Sequence, residues 1–131
     1  MDSLIQSLRI AADKYETNLQ KLMKTNGLTI AEFRLIDLIS QEFNTQDKLS
    51  EVTKLDTSTL SRQLKKIVEK EMVEKVPTGA DKRQLIYTVK DQGQIALKDV
   101  KTKEQKLIKS TLSDLSDTEV KKLTELLNKL K

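Results

Sequence analysis

Residues 57–70, TSTLSRQLKKIVEK, carry polar side chains at a spacing that suits contact with nucleic acid. The apolar residues recur at helical intervals, which leaves small hydroxyl and basic residues on the opposite face. A helix N-terminus can bind a phosphate, and small hydroxyl side chains allow close approach to phosphates or base edges. A basic helix face is more often simply exposed to solvent than bound to DNA. The choice between these two interpretations depends on the neighbouring segments. The candidate DNA-facing residues of this helix are Thr57, Ser58, Thr59, Ser61, Arg62 and Lys65.

A second basic group stands in the segment PTGADKR, residues 77–83, which has turn chemistry between two predicted strands, VEKV and QLIYTV. We expect Lys82 and Arg83 near the tip of this hairpin, where a guanidinium could enter a minor groove. Asp81 would hold Arg83 in position by a charge-assisted hydrogen bond, although a surface ion pair is the plainer interpretation of these two residues alone. Basic residues outnumber acidic ones across residues 57–83, which favours an anionic partner.

Helix signals flank this region on both sides. Capping boxes are predicted at Thr29 with Glu32 and at Ser116 with Glu119, and Asp56 is the predicted N-cap of the basic helix. The predicted elements are a first amphipathic helix ending near Gly27, a second from Thr29 through RLIDLISQEF, a short third from near Thr45, the basic fourth helix, the hairpin, a Lys-rich helix over about 91–112, and a last helix from Ser116. The order indicates a mainly α fold with a small β wing, a winged helix-turn-helix.

The composition excludes several classes of function. The chain has 131 residues, enough for one domain, with 37% hydrophobic residues and a net charge of +4. It has no Cys and no His, so the commonest general base, the thiol nucleophile and the usual zinc ligands are missing. We therefore predict no enzyme activity, no metal site and no cofactor. No apolar run approaches the ~20 residues of a membrane span, and a cytoplasmic protein without a membrane partner is expected.

Together these motifs resemble the MarR family of bacterial transcription regulators. LDTSTLSRQL is similar to the family's recognition-helix segment, residues 81–83 match its Asp-x-Arg wing motif, and LSDTEVKKLTELLNKL is similar to its C-terminal dimerisation helix. Gly93 stands where the family has a glycine opening the next helix. The resemblance covers nearly the whole chain, with departures at Lys54 and Glu71, where the family often has a glycine.

The resemblance implies a single domain over 1–131, with a winged helix-turn-helix at about 29–90 and dimerisation helices at about 1–26 and 91–131. It implies a homodimer that binds a pseudo-palindromic operator in double-stranded DNA, usually as a repressor, and in many members a small organic effector. By motif position it assigns DNA contacts to Ser58, Thr59, Ser61, Arg62, Asp81 and Arg83, whereas Lys65 follows from helical spacing alone. The expected dimer contacts are Leu4, Leu8, Val120, Leu123, Leu127 and Leu130.

Two other functions fit the same element order. A winged-helix module that binds another protein, as an antirepressor would, has no need for the basic set Arg62, Lys82 and Arg83. A PadR-like regulator would use a different dimer helix, and the long first helix with two C-terminal helices favours the MarR layout. Because thiol and zinc sensing require residues that the chain lacks, any effector is expected to bind reversibly and without a covalent bond.

Overall fold

The computed structural model describes residues 2–80 and 84–131. Its elements are α1 (Asp2–Lys24), α2 (Ile30–Ser40), α3 (Gln46–Thr53), α4 (Thr57–Glu69), β1 (Val73–Thr78), β2 (Gln84–Val89), α5 (Asp91–Thr111) and α6 (Asp117–Asn128). β1 and β2 pair antiparallel, with Val73 opposite Val89 and Thr78 opposite Gln84. The predicted fold class, mainly α with a small β wing, is confirmed.

The C-terminal ends of α1 and α2 differ in how well the sequence predicts them. Gly27 has a φ of +69° and follows α1 as predicted, and the Leu28 N–H donates to the carbonyl of Met23. The prediction that α2 runs to Phe43 is wrong, because α2 ends at Ser40 and Glu42 adopts a φ of +73°. The Phe43 N–H then donates back to the carbonyl of Leu38, which closes the helix.

Two further turns, after α3 and after α4, have a left-handed backbone without a glycine. Lys54, after α3, has a φ of +61°, and Glu71, after α4, has a φ of +64°. These are the positions at which the sequence departs from the glycines of the family it resembles. A non-glycine residue in this region is strained by roughly 1–2 kcal/mol, so the tertiary contacts of the flanking helices stabilise both turns.

The core lies where α2, α4 and β1 meet the long helix α5. Ile36, Leu60, Ile67, Val73 and Val100 have no exposed surface. Because α4 buries its apolar face here, its polar face must point away from the core. Over residues 2–80 and 84–131, no helix is both long and apolar enough to cross a membrane.

An ion pair between a buried carboxylate and an exposed lysine connects the start of α2 to the end of α4. The Glu32 carboxylate accepts a hydrogen bond from Lys70 Nζ at 2.7 Å and another from the Thr29 N–H at 2.9 Å. Lys70 Nζ also donates to the Gly27 carbonyl at 2.8 Å. Burial raises the pKa of Glu32, but the hydrogen bonds from Lys70 and Thr29 outweigh that effect and leave the pKa below its usual value. Glu32 is therefore ionised in the folded protein at neutral pH.

Replacing Lys70 by methionine should lower the free energy of unfolding by about 1–3 kcal/mol at neutral pH, because a buried carboxylate loses its cation. Since the folded-state pKa of Glu32 is lowered, its contribution is present at neutral pH and is lost as the pH falls through that pKa, below the ordinary value of 4.5. Urea denaturation at neutral pH and in acid should thus show a difference between variant and parent that narrows in acid. Lys66→Met, at an exposed site on the same helix, is the matched control. Equal losses in the two variants would contradict the role of the pair.

Candidate nucleic-acid interface

The polar face of α4 is exposed because the opposite face is fixed in the core by Leu60, Leu64 and Ile67. Asp56 is the N-cap, and its carboxylate accepts the Thr59 N–H at 2.8 Å. Of the predicted contact residues, one is half-buried, Thr59. The exposed ones are Thr57, Ser58, Ser61, Arg62 and Lys65. The structure therefore brings the predicted residues of α4 together on one accessible surface.

Hydrogen bonds to Asp56 organise the first turn of this surface. Ser58 Oγ donates to Asp56 Oδ1 at 2.8 Å, and Thr59 Oγ1 donates to Asp56 Oδ2 at 3.0 Å. Arg62 Nη2 in turn donates to Thr59 Oγ1 at 3.4 Å. Because the hydroxyl protons of Ser58 and Thr59 point to the carboxylate, their oxygens present lone pairs outward. These two hydroxyls are set to accept hydrogen bonds, and the guanidinium of Arg62 supplies the donors.

The same contacts fix the charge of Asp56. The backbone N–H of Thr59 and the hydroxyls of Ser58 and Thr59 hold the pKa of the Asp56 carboxyl below its usual value, and nearby Arg62 adds to the effect. The N-cap is therefore an anion at neutral pH, where it complements the positive end of the helix.

A residue of α3 joins this surface. Gln46, the first residue of α3, donates from Nε2 to Ser61 Oγ at 2.7 Å. The sequence placed Gln46 directly after the N-cap Thr45, but nothing in the spacing indicated contact with α4. Gln46 is thus a candidate interface residue that sequence reasoning missed.

The hairpin of β1 and β2 follows α4 in the chain, and the predicted wing contacts belong to the segment between its two strands. Asp81, Lys82 and Arg83 lie outside the described residues, so their proposed roles stay predictions. Within the described strands, Lys75 Nζ lies 5.8 Å from the ring centroid of Tyr87, the residue paired with it across the sheet. Tyr87 is buried and its N–H donates to the Asn44 carbonyl at 2.8 Å, which anchors β2 against the segment between α2 and α3.

The terminal helices α1 and α6 each carry exposed apolar side chains. None of the residues of α6 is buried, and Leu123, Leu127 and Leu130 are exposed by 43%, 37% and 68%. On α1, Leu4 and Leu8 are exposed by 64% and 39%. Of the predicted dimer residues, the remaining one, Val120, is half-buried. Leu130 lies just beyond the end of α6. We call these six residues the terminal leucine face.

The comparisons with known proteins agree with this geometry. The sequence model of the MarR family matches residues 26–84. The structure is similar to that of a MarR variant from E. coli in complex with operator DNA, with a TM-score of 0.79 and 25% identity, covering 98% of this chain and 93% of that chain. Residues 26–84, from before α2 to the start of β2, are therefore a MarR-type segment. A probable transcriptional regulator from Pseudomonas aeruginosa has the same fold, with a TM-score of 0.77 and 21% identity over 99% of this chain and 98% of that one. No curated protein sequence gives a significant match.

The match to the MarR family model and the likeness to a MarR structure indicate a DNA-binding transcription regulator rather than an enzyme. The exposed face of α4 is the natural candidate for the DNA contact, because it is polar, basic and backed by a buried core. The sequence predicted the α4 residues of this face from helical spacing and from the family motif. The sequence also predicted Asp56 as the N-cap of α4. It did not predict that the hydroxyls of Ser58 and Thr59 donate hydrogen bonds to the same carboxylate.

Proposed function

We propose that this protein is a homodimeric repressor of the MarR family that binds a pseudo-palindromic operator in double-stranded DNA. The observation that carries the proposal is the exposed face of α4, on which Ser58, Ser61, Arg62 and Lys65 stand together above a buried apolar face. A similar protein, the MarR variant from E. coli, was crystallised with operator DNA, which supports the same role for this chain. We assign the DNA-binding lobe to about 29–90, and place Asp81, Lys82 and Arg83 at its wing.

The dimer helices are proposed at about 1–26 and 91–131. The support is the terminal leucine face, since several large apolar side chains exposed on the same helices usually mark an interface. A small organic effector is proposed to bind without a covalent bond between these helices and the DNA-binding lobe. A groove of about 300 Å³ between α1 and α2, lined by Gln20, Leu28 and Ile30 among others, offers a place for such a molecule.

Operator geometry provides the test of this function. Two α4 helices related by a two-fold axis should enter major grooves about 34–36 Å apart, so the footprint should contain two half-sites one turn apart. Affinity should fall steeply with salt, because phosphate contacts release counterions. The experiment is a gel shift and footprint on the DNA upstream of the protein's own gene at several salt concentrations. An asymmetric footprint with a single half-site, or a complex insensitive to salt, would contradict the proposal.

Replacing Arg62 by alanine should cost about 1–3 kcal/mol at one base position of each half-site and little at others, because a bidentate contact to guanine carries base information. Lys65→Ala should instead weaken binding to all sequences alike and reduce the salt slope by about one unit. The measurement is the affinity for the operator and for a set of single-base variants.

Arg62→Lys is the matched control, because it keeps the positive charge but cannot form the same planar pair of hydrogen bonds. It should lose base discrimination nearly as fully as Arg62→Ala while keeping more of the overall affinity. If Arg62→Ala lowers affinity equally at every base pair, the residue contacts phosphate and the assignment to a base is wrong.

A further inference from the structure

We infer that Gln46, on α3, determines part of the DNA sequence preference by reading an adenine-containing base pair jointly with Ser61. The inference rests on the proposed function, since it assigns a further specificity-determining residue to the same interface. It starts from one contact between two helices, the hydrogen bond of 2.7 Å from Gln46 Nε2 to Ser61 Oγ.

That contact brings a side-chain amide onto the exposed face of α4. Ser61 is exposed and lies between Ser58 and Lys65 along the outer face of the helix. Gln46 is half-buried, so its stem is held by the packing of α3 while its amide end is fixed at Ser61. A glutamine held in one position loses less side-chain freedom on binding than a freely rotating one. Gln46 is thus pre-organised at the interface.

The unused hydrogen-bond groups of the pair match an adenine edge. Gln46 has one further N–H on Nε2 and the acceptor Oε1, for which the described part of the chain provides no recorded partner. Adenine presents N7 as an acceptor and the N6 amino group as a donor in the major groove, and a glutamine amide can bind both. The amide in contact with Ser61 therefore favours adenine over the other three bases.

A contact of Gln46 with the DNA backbone is the competing arrangement, and local charge disfavours it. Asp47, the next residue, is exposed and negative in the first turn of α3. This carboxylate offsets the positive charge of the helix N-terminus and of the neighbouring, exposed Lys48, so no net charge attracts a phosphate to Gln46. The hydroxyl of Thr45 accepts the Lys48 N–H and keeps its own proton to donate, so a phosphate at this helix end would be bound by Thr45 rather than by Gln46. A neutral base edge is the better partner for Gln46.

The experiment is selection of binding sites from a pool of random DNA duplexes by the full-length protein, followed by affinity measurements on the selected site with each base pair changed in turn. Gln46→Ala should reduce the preference for A·T at one position of each half-site by at least about fivefold and leave other positions unchanged. Ser61→Ala should blur the preference at that same position, because the amide is no longer held. Gln46→Glu should change it toward C·G, since a carboxylate accepts from the cytosine amino group.

Gln105→Ala, at an exposed site on α5, is the matched control and should leave every base preference intact. Thermal unfolding of each variant would show whether the fold is retained. If the parent selects a palindromic site and Gln46→Ala selects the same site with the same base preferences, or loses affinity uniformly, the inference is overturned and the proposed function stands. If the parent selects no sequence at all, the proposed function fails and the inference falls with it.

Discussion

Replacing Gly93 by alanine should lower the free energy of unfolding by about 3 kcal/mol. Gly93 is buried in the first turn of α5, where a Cβ atom would overlap the Met72 carbonyl oxygen and lie 2.6 Å from Val89 Cγ1. The Met72 carbonyl is part of the backbone between α4 and β1, and it also accepts the Lys90 N–H at 2.9 Å. Relief of the overlap would therefore require α5 to move away from the hairpin.

Urea denaturation of Gly93→Ala and of the parent measures this effect. Gln94→Ala, at the next and exposed position of the same helix, should differ from the parent by less than about 0.5 kcal/mol. In a flexible turn, an alanine in place of glycine would stabilise the protein through the unfolded chain. Equal or greater stability of Gly93→Ala would therefore show that α5 does not approach the hairpin as closely as in this structure.

The sequence indicated Gly93 only through its likeness to a family motif and gave no reason for a glycine there. Helix caps, in contrast, could be predicted from the residues themselves. Capping boxes at Thr29 with Glu32 and at Ser116 with Glu119 were predicted and are present, because each depends on residues three positions apart. The end of α2 was predicted wrongly, since Glu42 takes a left-handed conformation that its residue type does not signal.

Contacts between distant segments could not be predicted from spacing. Lys70 binds Glu32 from 38 positions away, and Gln46 reaches Ser61 from another helix 15 positions away. Their geometry depends on how α2, α3 and α4 pack together. The site on α4 was predictable because it lies on one face of one helix, whereas the residues that organise it come from its neighbours.

Replacing both Leu123 and Leu127 by glutamate should convert the proposed dimer to a monomer and lower operator affinity by about 10²–10⁴-fold. Two linked DNA-binding lobes gain affinity because binding of the first raises the effective concentration of the second, and a monomer loses this gain. The fold of each protomer should survive, since both side chains are exposed on a helix that buries none of its residues. Removal of the chain from Ser116 onward should have the same effect on assembly, or cause aggregation through the remaining exposed leucines.

Sedimentation analysis gives the assembly state, circular dichroism the helix content, and a gel shift the affinity for the full operator and for an isolated half-site. The matched control carries Lys122→Gln and Lys129→Gln, which changes the net charge by the same amount at exposed polar positions. The control should remain a dimer. A loss of affinity that it has in common with the leucine variant would therefore be due to the change in net charge. The leucine variant should bind the full operator about as weakly as a half-site, because its lobes no longer act together. A leucine variant that is still a dimer with the parent's affinity would place the interface elsewhere than on the terminal leucine face.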